Sequence, residues 1–195
     1  MPSACGSDAL PLTVGAVAVE SGADLLIRAA QANDVRRIAQ IHVRAWQWAY
    51  PDLLPAAFLA RLSVVRRATY WRRWLAEAAP HRQLWLVSRD MRRIGFAATG
   101  PSRDADGDPS TGEIHALYLE PAAVGTGAGR TLCGHAEAHL RHEGFRAATL
   151  WTFEWNARAR RFYERRGWHL EGREKTDEWG GRVLREVRYR MALEP

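Results

Sequence analysis

Hydrophobic positions along the chain recur with two periods, and each change of period marks an element. Residues 25–30 (LLIRAA) predict a first strand. Asn33 or Asp34 then stands where a helix cap belongs, and Val35, Ile38, Ile41 and Ala45 form the apolar stripe of the helix that follows. That helix runs into Trp46, Trp48 and Tyr50, and Pro51 ends it. Pro55 can begin another, and Ser63 is placed to cap a segment running to near Ala79, with Val64, Ala68, Trp71 and Leu75 on one face. From Leu84 the period becomes two: QLWLVSRD, a turn at 90–93 and IGFAATG predict a hairpin. Residues 113–120 alternate as a strand that Pro121 closes, and Gly125, Gly127 and Gly129 interrupt the chain. A helix then carries Ala128, Leu132, Ala136 and Leu140 on one face, with Gly144 at its C-terminal cap. After it come a strand at 146–153 and a helix capped by Asn156 that holds Ala159, Phe162 and Tyr163. Gly167 stops this helix, a strand follows at 168–172, TDEWGGR makes a tight loop, and VLREVRYRMAL makes the last strand. The succession is α/β with a mixed sheet.

Composition adds bounds. A chain of 195 residues with 47% hydrophobic residues and no apolar run of membrane-spanning length suits one soluble domain, expected at 24–195. Residues 1–23 are small, nearly uncharged and without period. They lack a basic n-region, so they predict a flexible tail rather than a secretory signal. Lys and Arg number 28 against 22 Asp and Glu, giving +6, yet Lys175 is the one lysine and the arginines are scattered among acids. That pattern welcomes an anionic ligand without marking a nucleic-acid face. The two cysteines, Cys5 and Cys133, form neither a disulfide framework nor a metal-ligand spacing, so a reducing cytoplasm is the default.

Candidate chemistry concentrates at the glycine loop. A strand, a glycine loop and a helix N-terminus present unpaired backbone N–H groups and the positive end of the helix dipole, which favour a phosphate or pyrophosphate. Alone the pattern is equally an ordinary turn. The Lys and Ser/Thr of a Walker A loop are absent, and the third glycine comes one position too early for a dinucleotide fingerprint. Two metal-like patterns are weaker. Asp104, Asp106 and Asp108 resemble a calcium loop, but Pro109 and His115 stand where Gly and Glu are needed, so a solvated hairpin tip is expected. His135, His139 and His142 share helical spacing without a further ligand cluster, which predicts a solvated face and no metal.

LYLEP followed by VGTGAG, and then NARARRFYERRGW after a strand, resemble the two best-marked motifs of the GNAT superfamily of N-acetyltransferases. Asn156, Ala159, Phe162, Tyr163 and Gly167 are similar position by position to the second motif, and the resemblance covers all but the leader. It implies a single domain with a mixed, mostly antiparallel sheet flanked by helices. It also implies acetyl-CoA as donor: a pantetheine arm along Leu117, Tyr118 and Leu119, a pyrophosphate on Gly125, Thr126, Gly127, Ala128, Gly129 and Arg130, and a contact from Asn156. The family usually has Gln or Arg at Val124, so a side-chain contribution is lost there while backbone donation remains. Homodimers are frequent in the family, and nothing in the sequence fixes an interface.

The resemblance further places Tyr163 as general acid and Glu113 as first candidate for the base, with His115 on the same strand face. A base matters because an alkylamine of pKa near 10.4 is only about one part in 2500 neutral at pH 7, roughly 4.6 kcal/mol of the task. The departing thiolate makes a weaker demand. Direct transfer is expected, with Cys133 a poor nucleophile. The acceptor site is expected between the bend at 46–54, with Trp46 and Tyr50, and the loop at 177–181, where Asp177 and Glu178 could hold a cationic amine. A small-molecule amine is favoured over a protein amine, and neither nucleic acid nor membrane is expected as a partner. Two rival readings stay open at this point: a non-catalytic acyl-CoA sensor or scaffold, which Val124 favours, and a nucleic-acid-binding module suggested by charge alone.

Overall fold

The computed structural model describes residues 25–77 and 79–193; the expected tail at 1–23, with Cys5, lies outside them. The strands are β1 (Leu25–Ala29), β2 (Gln83–Arg89), β3 (Arg92–Pro101), β4 (Thr111–Leu119), β5 (Ala147–Phe153), β6 (His169–Trp179) and β7 (Arg182–Ala192). The helices are α1 (Val35–Ala49), α2 (Ala56–Ala60), α3 (Val64–Ala76), α4 (Ala128–His142) and α5 (Ala157–Glu164). All seven strands join one sheet in the order β1-β2-β3-β4-β5-β7-β6. Each neighbouring pair is antiparallel except β4 with β5. The expected α/β architecture, with a mixed and mostly antiparallel sheet flanked by helices, is therefore what forms.

Helix stripes decide which face each helix covers. Leu132, Ala136 and Leu140 of α4 are fully buried against Val87, Ala97, Ile114, Leu150 and Tyr189, with Tyr163 and Trp168 completing that core. Ile38 and Ile41 of α1 and Trp71 and Trp74 of α3 pack on the opposite face against Leu84, Leu86, Phe96 and Ala116. A third cluster, Trp46, Leu54, Leu59, Phe153 and Leu184, fills the space under the α1–α2 bend. The Ser63 side chain accepts from the Arg66 amide at the start of α3, and Gly144 takes φ +88 just past α4, as their residue types demand.

Four expectations need correction. Neither Asn33 nor Asp34 caps α1 through its side chain; a short 3-10 turn at 32–34 leads into the helix, and the buried Asp34 carboxylate pairs instead with Arg28 and Arg93. TDEWGGR is not a loop throughout, because Thr176, Asp177, Glu178 and Trp179 are strand residues paired with β7 and the turn itself is Gly180–Gly181, both at positive φ. The tip after β3 is not merely solvated. Asp104 and Asp106 bind the buried Arg188 guanidinium at 3.0 and 2.6 Å, and Asp104 also accepts from the Trp151 indole. Nor is the histidine face of α4 wholly solvated: His135 and His139 set their rings edge-on to Trp85 at 4.3 and 5.1 Å, and only His142 is exposed. No group of three or more potential metal ligands occurs among the described residues. Among them too, no helix is long and apolar enough to cross a membrane.

Candidate active site

The parallel strands β4 and β5 pair through three positions, Thr111 with Ala147, Gly112 with Ala148 and Glu113 with Thr149, and then part. From Ile114 to Leu119 the β5-facing edge of β4 has no ladder partner among the described residues, while its other edge stays paired with β3. On that paired edge Ala98 faces Ala116 and Thr99 faces Ile114, which makes His115 the bulged residue. A bulge bends and twists its strand, so it sits where β4 must turn away from β5. The result is a wedge-shaped opening with a free strand edge running past Leu117, Tyr118 and Leu119.

At the wide end of this wedge lies the glycine loop. Gly125 and Gly127 take φ +82 and +89, and a Cβ at either would meet nothing within 4 Å, so it is the backbone conformation and not crowding that calls for glycine there. Gly129 differs: its Cβ would lie 3.2 Å from Leu119. From Gly125 to Arg130, none of the six backbone N–H groups has an acceptor among the described residues; regular bonding starts with the Thr131 amide donating to Gly127. Six open donors at the N-terminus of a 15-residue helix concentrate positive partial charge, an environment chemically suited to an anion such as a diphosphate. Val124 precedes them, its own amide bonded to Pro121.

At the narrow end Glu113 is 1% exposed. Its Oε1 accepts from Arg103 Nη2 at 2.5 Å, and its Oε2 accepts from the Arg103 backbone amide at 2.9 Å and from Arg103 Nε at 3.4 Å. Burial alone would raise this carboxyl, but the Arg103 hydrogen bonds and charge, with a contribution from His115, hold it below its ordinary value. Glu113 is thus a carboxylate throughout the neutral range, with both oxygens engaged. His115, beside it, makes no ring hydrogen bond of good geometry among the described residues; the nearby Pro101 carbonyl favours its charged form, but burial outweighs this and depresses its pKa to about 4. A neutral imidazole there offers one donor and one acceptor.

Tyr163 lies on the inner face of α5, 8% exposed, and its hydroxyl makes no hydrogen bond among the described residues. Burial raises its pKa well above the ordinary phenol value, with Cys133, Tyr118 and Tyr50 adding to the shift, so the phenol keeps its proton. The same group of neighbours places it between α4, β4 and the end of α1. Asn156 caps α5 by accepting from the Ala159 amide at 3.1 Å, and its amide donates to the Tyr50 hydroxyl at 3.3 Å. The Trp46 indole donates to the Tyr118 hydroxyl at 3.1 Å. Trp46 itself is buried against Tyr50, Phe153 and Trp179. The α1–α2 bend and the β6–β7 turn therefore come together as expected, but in a packed aromatic cluster, with Gly180 hard against Phe58. Asp177 and Glu178 are exposed on β6. Cys133 is buried, its thiol beside Glu137 and its pKa pushed up, which suits a structural and not a nucleophilic cysteine.

Sequence reasoning missed three arginines. Arg103 clamps Glu113, Arg89 donates to the Thr126 carbonyl and hydroxyl at 3.3 Å and so ties β2 to the glycine loop, and Arg188 anchors the loop that delivers Arg103. Only Arg188 carried a signal, a cation in an alternating strand opposite three spaced aspartates.

Comparison with known proteins follows the same outline. The family model of the acetyltransferase (GNAT) family matches residues 35–168. The N-acetyltransferase YuaI of Bacillus subtilis is 28% identical over 132 residues, 67% of this chain and 72% of that protein. The fold is similar to that of YncA from Salmonella typhimurium, solved with its cofactor acetyl-CoA, at a TM-score of 0.66 and 20% identity over 87% of this chain and 94% of that one. It is also similar to PaiA N-acetyltransferase from Thermoplasma acidophilum, solved with coenzyme A, at 0.64 and 18% over 84% and 98%. With its family match spanning the wedge, the glycine loop and Tyr163, this chain belongs to the GNAT family of acetyltransferases.

Proposed function

We propose that the protein is an N-acetyltransferase that moves an acetyl group from acetyl-CoA to the primary amine of a small molecule in the cytoplasm, by direct transfer. One observation carries the donor half: six acceptor-free amides from Gly125 to Arg130 adjoin a free strand edge on β4. A diphosphate fits the first and an amide-bearing pantetheine arm fits the second as an added strand. Acetyl-CoA supplies a thioester whose acyl carbon an amine can attack. Tyr163, which keeps its proton and has no hydrogen-bond partner among the described residues, is our candidate to protonate the departing sulfur. A phenol is a weaker acid than a thiol, so this transfer is uphill on its own and proceeds only as the C–S bond breaks and the amide forms.

The ammonium proton leaves at the other end of the wedge. Glu113 fixes Arg103 and holds negative charge beside His115; an imidazole held near pKa 4 is too weak a base to keep the ammonium proton, so its part is to orient the amine and the water that carries the proton away. The roles thus shift from the family pattern: Glu113 positions and stabilises, and His115 orients. The test is release of free thiol from acetyl-CoA with a panel of primary amines, read beside calorimetric binding of coenzyme A. Amine-dependent thiol release supports the proposal. Tight coenzyme A binding with no release for any amine would replace it with the sensor or scaffold reading.

A further inference from the structure

On the α1/α3 face of the sheet, beside the narrow end of the wedge, is a cavity of about 560 Å³ whose lining includes Tyr70, Arg73 and Trp74 of α3, Arg82, Arg103 and His115. Its three guanidiniums are not equivalent. Arg103 is engaged by Glu113, and Arg82 is bonded to Glu77 at 3.2 Å and stacked over Trp74 at 4.3 Å. Arg73, exposed at the rim of the cavity, has no ion pair or side-chain hydrogen bond among the described residues and is balanced by solvent alone. Two of the three cations are thus balanced by carboxylates, and one positive charge is left over. His115 adds two buried ring nitrogens that lack a well-formed hydrogen bond, the Pro101 carbonyl being near but poorly aligned, and a poorly satisfied buried donor is a standing cost that a ligand can remove. His115 itself stands on β4 between Ile114 and Ala116, so the cavity adjoins the stretch of β4 that borders the wedge.

We infer that this cavity receives a carboxylate carried by the acceptor, so that the acceptor class is an amino acid or a closely related amino-carboxylate. The inference rests on the transferase reading above. A single uncompensated guanidinium and one imidazole N–H match a monoanion with two acceptor oxygens. Tyr70 and Trp74 supply apolar walls for the body of such a molecule, and the adjoining wedge supplies the place for its amine. A protein substrate would bring its carboxylates only at side chains and one terminus, which the small volume does not favour.

The experiment uses the full chain loaded with coenzyme A and titrates it calorimetrically with a panel of L-amino acids and their methyl esters. The best-bound acids are expected to exceed their esters by tenfold or more. Arg73→Leu should reduce that ratio to near one, and His115→Phe should lower it in a chain that still binds coenzyme A. Equal binding of acid and ester, no binding of any acid by a protein that binds coenzyme A, or a ratio unmoved by Arg73→Leu would each overturn the inference. Failure of the unaltered protein to bind coenzyme A would overturn the transferase reading, and this inference with it.

Discussion

At its C-terminal end β4 runs into a loop whose working atoms are backbone amides; at its N-terminal end everything depends on side chains reaching across the fold. Gly125 and Gly127 need only their own φ angles to present those amides. Glu113 needs Arg103, Arg103 needs the loop after β3, and that loop is held by Arg188 from β7 through Asp104 and Asp106. A backbone receptor suits a diphosphate whose identity never changes. A side-chain receptor can be retuned residue by residue, which suits the partner that distinguishes one acetyltransferase from another.

The largest expected effect breaks the side-chain end alone. The Arg188 side chain is 6% exposed and binds Asp104, Asp106 and Glu171. Arg188→Met leaves those carboxylates without their common partner, and removal of one member of a buried ionic cluster costs about 3–5 kcal/mol. Partial exposure of the carboxylates puts the expectation at the lower end of that range. Thermal or denaturant unfolding should show the loss, with the midpoint restored in part by coenzyme A, whose site is remote from the change. An unchanged midpoint would mean that the cluster is only a surface ornament.

Tyr163→Phe sharpens the contrast by leaving both ends intact. Losing a positioned proton donor typically costs about 10²-fold or more in rate, near 2.7 kcal/mol. The turnover number should fall by that order with the KM for acetyl-CoA little changed, because the hydroxyl has no hydrogen bond to lose in the free protein. A tenfold poorer KM with normal turnover would reassign Tyr163 to binding.

How much of this was legible follows from the same contrast. The glycine loop, the α4 stripe, the Asn156 cap and the phenol at 163 are local features, each written within one turn or one period, and the chain alone disclosed them. Arg103 meeting Glu113 is a contact between an irregular loop and a strand, and no period announces it. Asp104 and Asp106 looked solvated because their partner lies 84 and 82 positions away on β7. Asp177 and Glu178 looked like loop residues because an exposed edge strand with charges on both faces lacks the alternation by which strands are recognised.

Gly127→Val should be felt at the backbone end only. A β-branched residue held at φ +89 costs about 1–2 kcal/mol, and the loop is free to relax to a more ordinary φ, disordering the amides. Coenzyme A affinity should drop roughly 5- to 30-fold by calorimetry, while the unfolding midpoint without ligand moves little. A variant that binds coenzyme A normally would show that the amides are not the receptor.

The most gradual expected effect is a pH slope, and it belongs to the side-chain end. His115 is held near pKa 4 in the folded chain against an ordinary value of about 6.5, so below pH 6.5 the unfolded chain takes up a proton that the folded one refuses. Stability is therefore full above about 6.5, declines as pH falls and levels off near 4, by up to about 1.4 kcal/mol per pH unit for one such group. His42, depressed to about 3 by burial, and His135 and His139, also lowered by burial, contribute slopes of the same sign, so the unaltered protein shows the sum of all four. Glu113, with its lowered pKa, adds its own loss only below the ordinary carboxylate range, which leaves the interval from 6.5 to about 4.5 to the histidines. His115→Phe should make the slope in that interval shallower without abolishing it, and Gly127→Val should leave it unchanged. Identical slopes for His115→Phe and the unaltered chain would mean that the imidazole is already solvated, and the amine site would lose the buried neutral ring proposed to orient it.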